Sequence, residues 1–161
     1  MVVLAPVEIS LYKEIASVGG FRNHGAVKAG PRMTTSESAA VPARRASVLV
    51  VEDEVMIRMM VTDMLADLGH SVAAEAGEIE EALRLAESAE FDLAILDVNV
   101  NGKTIEPVAK IVERRKLPLL FSTGYSVDAL PESFRGRPSL QKPFRIDTLQ
   151  SAIDEALKAN G

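Results

Sequence analysis

The sequence predicts an α/β protein, a parallel sheet of five βα units with helices on both faces. Three observations carry that expectation. Val48-Leu49-Val50-Val51 is a continuous apolar run, the pattern of a strand covered on both sides. Strand-like and helix-like segments then alternate regularly from Ser47 onward, and short right-handed connections make such an alternation a parallel sheet. Aromatic residues are only 4% and tryptophan is absent, so Val, Leu, Ile, Ala and Met must fill the core.

The elements follow in order. After the first strand, Ile57, Met60, Val61, Met64, Leu65 and Leu68 repeat at helical spacing, and Gly69 supplies the stop. Ser71 to Ala76 is a short second strand, and Ile79 to Ala89 a helix with apolar Ile79, Ala82, Leu83 and Ala86. Phe91 to Leu96 is a third strand ending at Asp97. Thr104 to Arg115 is a helix that tolerates Pro107, because the missing N–H falls in the first turn. Leu117 to Phe121 is a fourth strand running into Ser122-Thr123-Gly124. A weak helix is expected around Val127 to Phe134, a brief fifth strand at Ser139 to Gln141, and an amphipathic helix over Arg145 to Ala159.

Residues 1–46 differ in texture, being rich in Ala, Gly, Ser, Pro and Thr with little periodicity, and are expected to form a flexible leader. Val7 to Val18 is its one helical option, closed by Gly19-Gly20. Met33 offers an alternative translation start, which would make the preceding residues an upstream extension. Residues 47–161 form the patterned domain, with no output module expected after Gly161.

The formal net charge of −5 argues against nucleic-acid binding, since the basic clusters Arg44-Arg45 and Arg114-Arg115-Lys116 read as a solvated terminus and a helix end. With no cysteine, disulfides and thiolate metal sites are excluded. No apolar run is long enough to span a bilayer, and the N-terminus lacks the basic region of a signal peptide, so a cytoplasmic protein without membrane insertion is expected.

Ligands of open parallel sheets bind outside the carboxyl ends of the strands. Here strand one runs into Glu52-Asp53-Glu54, strand three ends at Asp97, strand four at Thr123 and strand five at Lys142-Pro143. Crowded carboxylates repel and need a cation. Mg²⁺ suits them because it takes a few carboxylates and keeps positions for water and phosphate oxygens. A lysine adds a point charge for an anion, and a threonine a hydroxyl donor. Around an aspartate, that set fits phosphoryl transfer. Taken singly, the acidic residues could be helix caps, Asp97 and Thr123-Gly124 turn formers, and Lys142-Pro143 a loop. Their joint occurrence at four strand ends favours a site.

Those residues resemble a known family. Val48-Leu49-Val50-Val51-Glu52-Asp53-Glu54, Leu96-Asp97-Val98-Asn99, Ser122-Thr123-Gly124 and Lys142-Pro143-Phe144 are similar to the receiver domain of two-component response regulators, the CheY-like superfamily, over about Ser47 to Ala159. The resemblance implies a flavodoxin-like fold with strand order 2-1-3-4-5. It implies that Asp97 accepts phosphate from a histidine kinase or phosphotransfer protein. Glu52, Asp53, Asp97 and the Asn99 backbone carbonyl would bind Mg²⁺, Thr123 and Lys142 would bind the phosphoryl oxygens, and Lys142-Pro143 would be cis.

Two positions depart from that pattern. Asn101 stands where the usual proline follows the phospho-acceptor, with Gly102 keeping the loop flexible. Ser139 stands where most receivers carry a switch aromatic. Leu119-Leu120-Phe121-Ser122-Thr123-Gly124-Tyr125, with Leu130-Pro131 and Leu140-Gln141-Lys142-Pro143-Phe144, resembles the FAT GUY subfamily, which places an aromatic after strand four. Tyr125 is thus the switch candidate, against its reading as an ordinary loop tyrosine. Members of that group are often single-domain regulators paired with kinases of the HWE or related type. His24 and His70 share no ligand spacing with a carboxylate and are expected to be structural or exposed.

Three functions follow from these readings. The first is a phosphorylatable single-domain receiver acting by protein interaction or as a phosphate sink. A Mg²⁺-dependent aspartate-nucleophile phosphatase is disfavoured by Asn99, which stands where such enzymes place an acid/base aspartate. The last is a receiver-like binding module that works without phosphate.

Overall fold

A computed structural model of the chain describes residues 45–124 and 132–159. The expected leader helix, the start at Met33, Tyr125 and most of the Val127–Phe134 segment lie outside the described residues. Within them, β1 (Ser47–Val51), β2 (Ser71–Ala76), β3 (Leu93–Asp97), β6 (Leu119–Thr123) and β7 (Ser139–Gln141) make one sheet. Its order is β2-β1-β3-β6-β7 with every pairing parallel, which is the 2-1-3-4-5 order of the flavodoxin-like fold.

The alternation of side chains along β1 and β3 divides the core in two. Leu49, Val51, Ala94 and Leu96 face α2 (Ile79–Ser88) and α3 (Glu106–Arg114), where Ala82, Ala86, Val108 and Val112 are fully buried. Val48, Val50, Leu93 and Ile95 face α1 (Val55–Asp67) and α4 (Ile146–Ala159), against Val61, Leu65, Leu149 and Ile153. This two-sided burial is why the inner strands read as unbroken aliphatic runs. β2, at the edge, alternates exposed and half-buried positions instead.

Gly69 ends α1 as expected, and the reason is visible. Its φ of +81° lets the Gly69 N–H reach Ala66 O (2.9 Å) and the His70 N–H reach Leu65 O (2.9 Å), closing the last turn in the two-bond Schellman pattern.

Three element bounds need correction; the fourth strand runs Leu119–Thr123 rather than Leu117–Phe121. The third strand starts at Leu93 rather than Phe91, because Asp92 is drawn to Ser47: its carboxylate accepts from the Ser47 N–H and hydroxyl, both at 2.8 Å. The helix expected from Thr104 to Arg115 begins at Glu106. Thr104 belongs instead to a hairpin that the periodicity did not reveal, β4 (Asn99–Val100) against β5 (Lys103–Thr104), antiparallel, with Asn99 opposite Thr104 and Val100 opposite Lys103. Around Val127–Phe134, the described part is a single 3₁₀ turn, Glu132–Phe134, whose Phe134 ring lies 4.3 Å from that of Phe121.

Candidate functional site

The carboxyl ends of β1, β3, β6 and β7 converge on one rim, as the alternation of elements requires. Glu52 and Asp53 leave β1 before α1 begins, and Asp97 is the last residue of β3. One carboxylate oxygen from each of these three residues lies within 4.8 Å of the other two. Lys142 follows β7, and its ammonium donates to Glu52 Oε2 (2.5 Å) and Asp97 Oδ2 (2.8 Å) at once. The Lys142 N–H donates to Thr123 O (2.8 Å), which ties the lysine's backbone to the end of β6. The Lys142-Pro143 peptide is cis.

Burial sets the electrostatics. Glu52 is only 3% exposed. Burial pushes its carboxyl pKa up to about 7, beyond what the Lys142 hydrogen bond and charge pull back, while the neighbouring Asp97 charge adds to the rise. Burial also disfavours the Lys142 ammonium, but hydrogen bonds to Asp97 and Glu52 outweigh it and leave its pKa raised. Three clustered carboxylates, one of them raised chiefly by burial, form a donor set that fits a hard divalent cation.

Of the expected site residues, Glu52, Asp53, Asp97 and Lys142 lie together. Thr123 is fully buried at the end of β6. Asn99 opens β4 beside Asp97, its N–H donating to Asp97 Oδ1 at 3.2 Å. Tyr125 lies outside the described residues. Ser139 is half-buried on β7, in register with Phe121. Glu52-Asp53-Glu54 does not cap α1 through a side chain. His70 is buried far along the chain from the cluster, accepting from the Ala46 N–H at 3.2 Å, which bears out its structural reading. Arg114 is paired with Glu87 (2.6 Å), and Arg115 lies 4.9 Å over the Phe91 ring while bonding Ala86 O, so this basic run belongs to the surface of the fold. No described helix is long and apolar enough to cross a membrane.

Two further residues lie at the rim: Arg58, which the sequence did not single out, and Asn101, which it marked only as a departure from the family pattern. Arg58, one turn into α1, donates to Glu52 O (2.5 Å) and pairs with Glu75 (3.4 Å). Asn101, at the tip of the β4–β5 hairpin, donates its N–H to Asp53 Oδ2 (3.0 Å) and its side-chain amide to Gly77 O (3.1 Å). Asn101 and Gly102 have φ of +51° and +77°, the two positive values of a type I′ turn. The Asn-Gly dipeptide is a hairpin mark in its own right.

The response regulator receiver domain profile matches residues 48–154. The transcriptional regulatory protein PdtaR of Mycobacterium tuberculosis is 38% identical over 128 residues, covering 77% of this chain and 61% of PdtaR. The chain thus spans about three-fifths of that curated relative. The solution structure of SdrG from Sphingomonas melonis Fr1 is 38% identical, with a TM-score of 0.61 over 72% of this chain and 96% of that one. A structure of the BeF3-activated conformation of SdrG, from Pseudomonas melonis Fr1, is 39% identical with a TM-score of 0.61, over 69% of this chain and 95% of that one.

Proposed function

The chain belongs to the response regulator receiver domain family, and from that premise we propose that it takes a phosphoryl group from a histidine kinase onto Asp97. The observation that carries this reading is Lys142, whose ammonium bridges Asp97 and Glu52 inside a cluster that Asp53 completes. In the transfer, an Asp97 carboxylate oxygen forms the new O–P bond as the P–N bond of a phosphohistidine breaks. The bonding pair stays on the imidazole nitrogen. Such a transfer needs in-line positioning and charge neutralisation more than acid/base chemistry.

Glu52, Asp53, Asp97 and the Asn99 carbonyl would hold Mg²⁺, which when bound supplies positive charge to the phosphoryl oxygens. Lys142 is poised to share its protons between Asp97 and an arriving phosphoryl group, and Thr123 has a hydroxyl to offer that group. We assign residues 47–161 to the receiver and 1–46 to a leader, and place the protein in the cytoplasm. Its donor would be a kinase, of the HWE type if the FAT GUY likeness holds. Output would pass through protein contacts or by draining phosphate, with Tyr125 standing in for the aromatic absent at Ser139. The BeF3-activated conformation described for SdrG supports a phosphate-driven switch in a protein of this type.

The test is intact mass after incubation with acetyl phosphate and Mg²⁺. Wild type should gain the mass of one phosphate, and Asp97→Asn should gain none. A wild-type mass that never rises, or an Asp97→Asn protein that rises equally, overturns the reading.

A further inference from the structure

We infer that Asn101 is a positioning residue for the metal site: the β4–β5 turn holds the Asp53 carboxylate in place from outside the cluster. The inference rests on the proposed role of Asp53 as a metal ligand.

Asp53 needs such a device more than its neighbours do. Glu52 and Asp97 are buried and share the Lys142 ammonium, so their carboxylates are fixed by an ion pair on each side. Asp53 is only half-buried. The contact that orients it from the opposite side of the rim is the Asn101 N–H, at 3.0 Å from Oδ2. A hydrogen bond to one carboxylate oxygen leaves the other oxygen's lone pairs for a cation and fixes the rotamer that presents them.

The N–H points at Asp53 only because of the turn's conformation. Asn101 sits at φ +51°, in the left-handed region that asparagine tolerates better than most residues. Its side chain secures that conformation by donating to Gly77 O, in the loop after β2. A Cβ at Gly77 would lie 3.0 Å from Arg58 Nη1, so the arginine head lies over this loop. Arg58 in turn donates to the Glu52 carbonyl. The links run from Asp53 to Asn101 and Gly77, and from Glu75, two residues before Gly77, through Arg58 to the carbonyl of the residue preceding Asp53. The loops after β1, β2 and β3 are thereby stitched into one ring around the acidic cluster. Val100, fully buried beneath the turn, anchors it to the core.

A proline at 101 could do none of this. It has no N–H, and its ring holds φ near −65°. The departure from the usual family residue is therefore tied to how Asp53 is supported.

The experiment is Mn²⁺ binding to the whole chain, followed by the loss of the free-ion EPR signal, beside the thermal unfolding of each metal-free protein. Removing a partner of a metal ligand commonly weakens binding by roughly 10- to 100-fold; the exposed turn places Asn101→Pro near the lower end, about tenfold, with Asn101→Ala about threefold. Asn101→Gly, which keeps the N–H and adopts the positive φ freely but loses the bond to Gly77 O, should lose less than Asn101→Ala. In an Asp53→Asn background, Asn101→Ala should have no further effect. Asn101→Ala binding as tightly as wild type overturns the inference, as does an equal loss in both backgrounds. Should Asn101→Pro fail to fold, the alanine, glycine and double variants decide alone. Wild type and Asp53→Asn binding Mn²⁺ alike would instead sink the metal-site reading.

Discussion

The two ends of β1 bury titratable groups in opposite ways. Beyond its carboxyl end, Glu52 is 3% exposed and faces an ammonium and a second carboxylate. At its amino end, His70 is 6% exposed and faces a backbone N–H, that of Ala46. The nearby Asp92 likewise spends its carboxylate on the Ser47 N–H and hydroxyl. One end of the strand therefore stores charge against charge, in contacts that an incoming cation or anion can replace. The other ties His70 Nδ1 and the Asp92 carboxylate to the chain near β1, and leaves His70 Nε2 buried without a hydrogen-bond partner. Charge paired with charge offsets the cost of burial and leaves contacts to exchange; the amino end holds a neutral ring and an exposed carboxylate on local bonds.

Removing the ammonium should break the charged end hardest. Lys142→Met leaves Glu52 and Asp97 facing each other with no counter-ion, and breaking a buried pair in this way costs about 3 kcal/mol. Urea unfolding of the metal-free protein should show that loss, and millimolar Mg²⁺ should recover part of it by binding the uncompensated carboxylates. Stability equal to wild type without metal would mean that Lys142 does not neutralise the cluster. At the amino end, Asp92→Ala removes two hydrogen bonds at an exposed position, and the expected loss is about 1 kcal/mol. Its phosphate uptake should match wild type. If Asp92→Ala instead lowered the mass gain with acetyl phosphate, the two ends would be coupled and the contrast between them would fail.

Much of the charged end was legible because it depends on strand order. Once aliphatic runs and helical spacings define five βα units, parallel topology brings Glu52, Asp97, Thr123 and Lys142 to one rim without any knowledge of side-chain packing. The same logic found Gly69, whose stop depends on a local backbone conformation. What stayed hidden was held by contacts distant in sequence and periodic in nothing. Arg58 is one of several polar residues in its helix, and only the fold shows it against the Glu52 carbonyl. Thr104 carries a helix-compatible residue into a two-residue strand, because its pairing partner is Asn99 rather than any apolar neighbour. Asp92 is a turn residue by composition, and its bonds to Ser47 become readable only when β1 and β3 are known to be adjacent.

The smallest expected effect tests the neutral end. His70 Nδ1 accepts from the Ala46 N–H, so the folded state requires the uncharged ring, and protonating Nδ1 would remove the acceptor. Burial lowers the His70 pKa from its usual 6.5, and the Asp154 carboxylate only partly opposes this. The folded chain thus binds fewer protons than the unfolded one just below pH 6.5, so the contribution of His70 is complete above that value and declines as the pH falls. His70→Asn keeps an acceptor near Ala46 but cannot titrate. Between pH 7.5 and 5.5, wild type should lose Tm relative to His70→Asn by about 2 °C, well under 1 kcal/mol for a domain of this size. Comparing the two proteins cancels the opposite drift from Glu52, whose raised pKa makes the folded state take up protons over the same range. A difference that grows with rising pH would reverse the sign and place a charged, not neutral, ring at the amino end of the sheet.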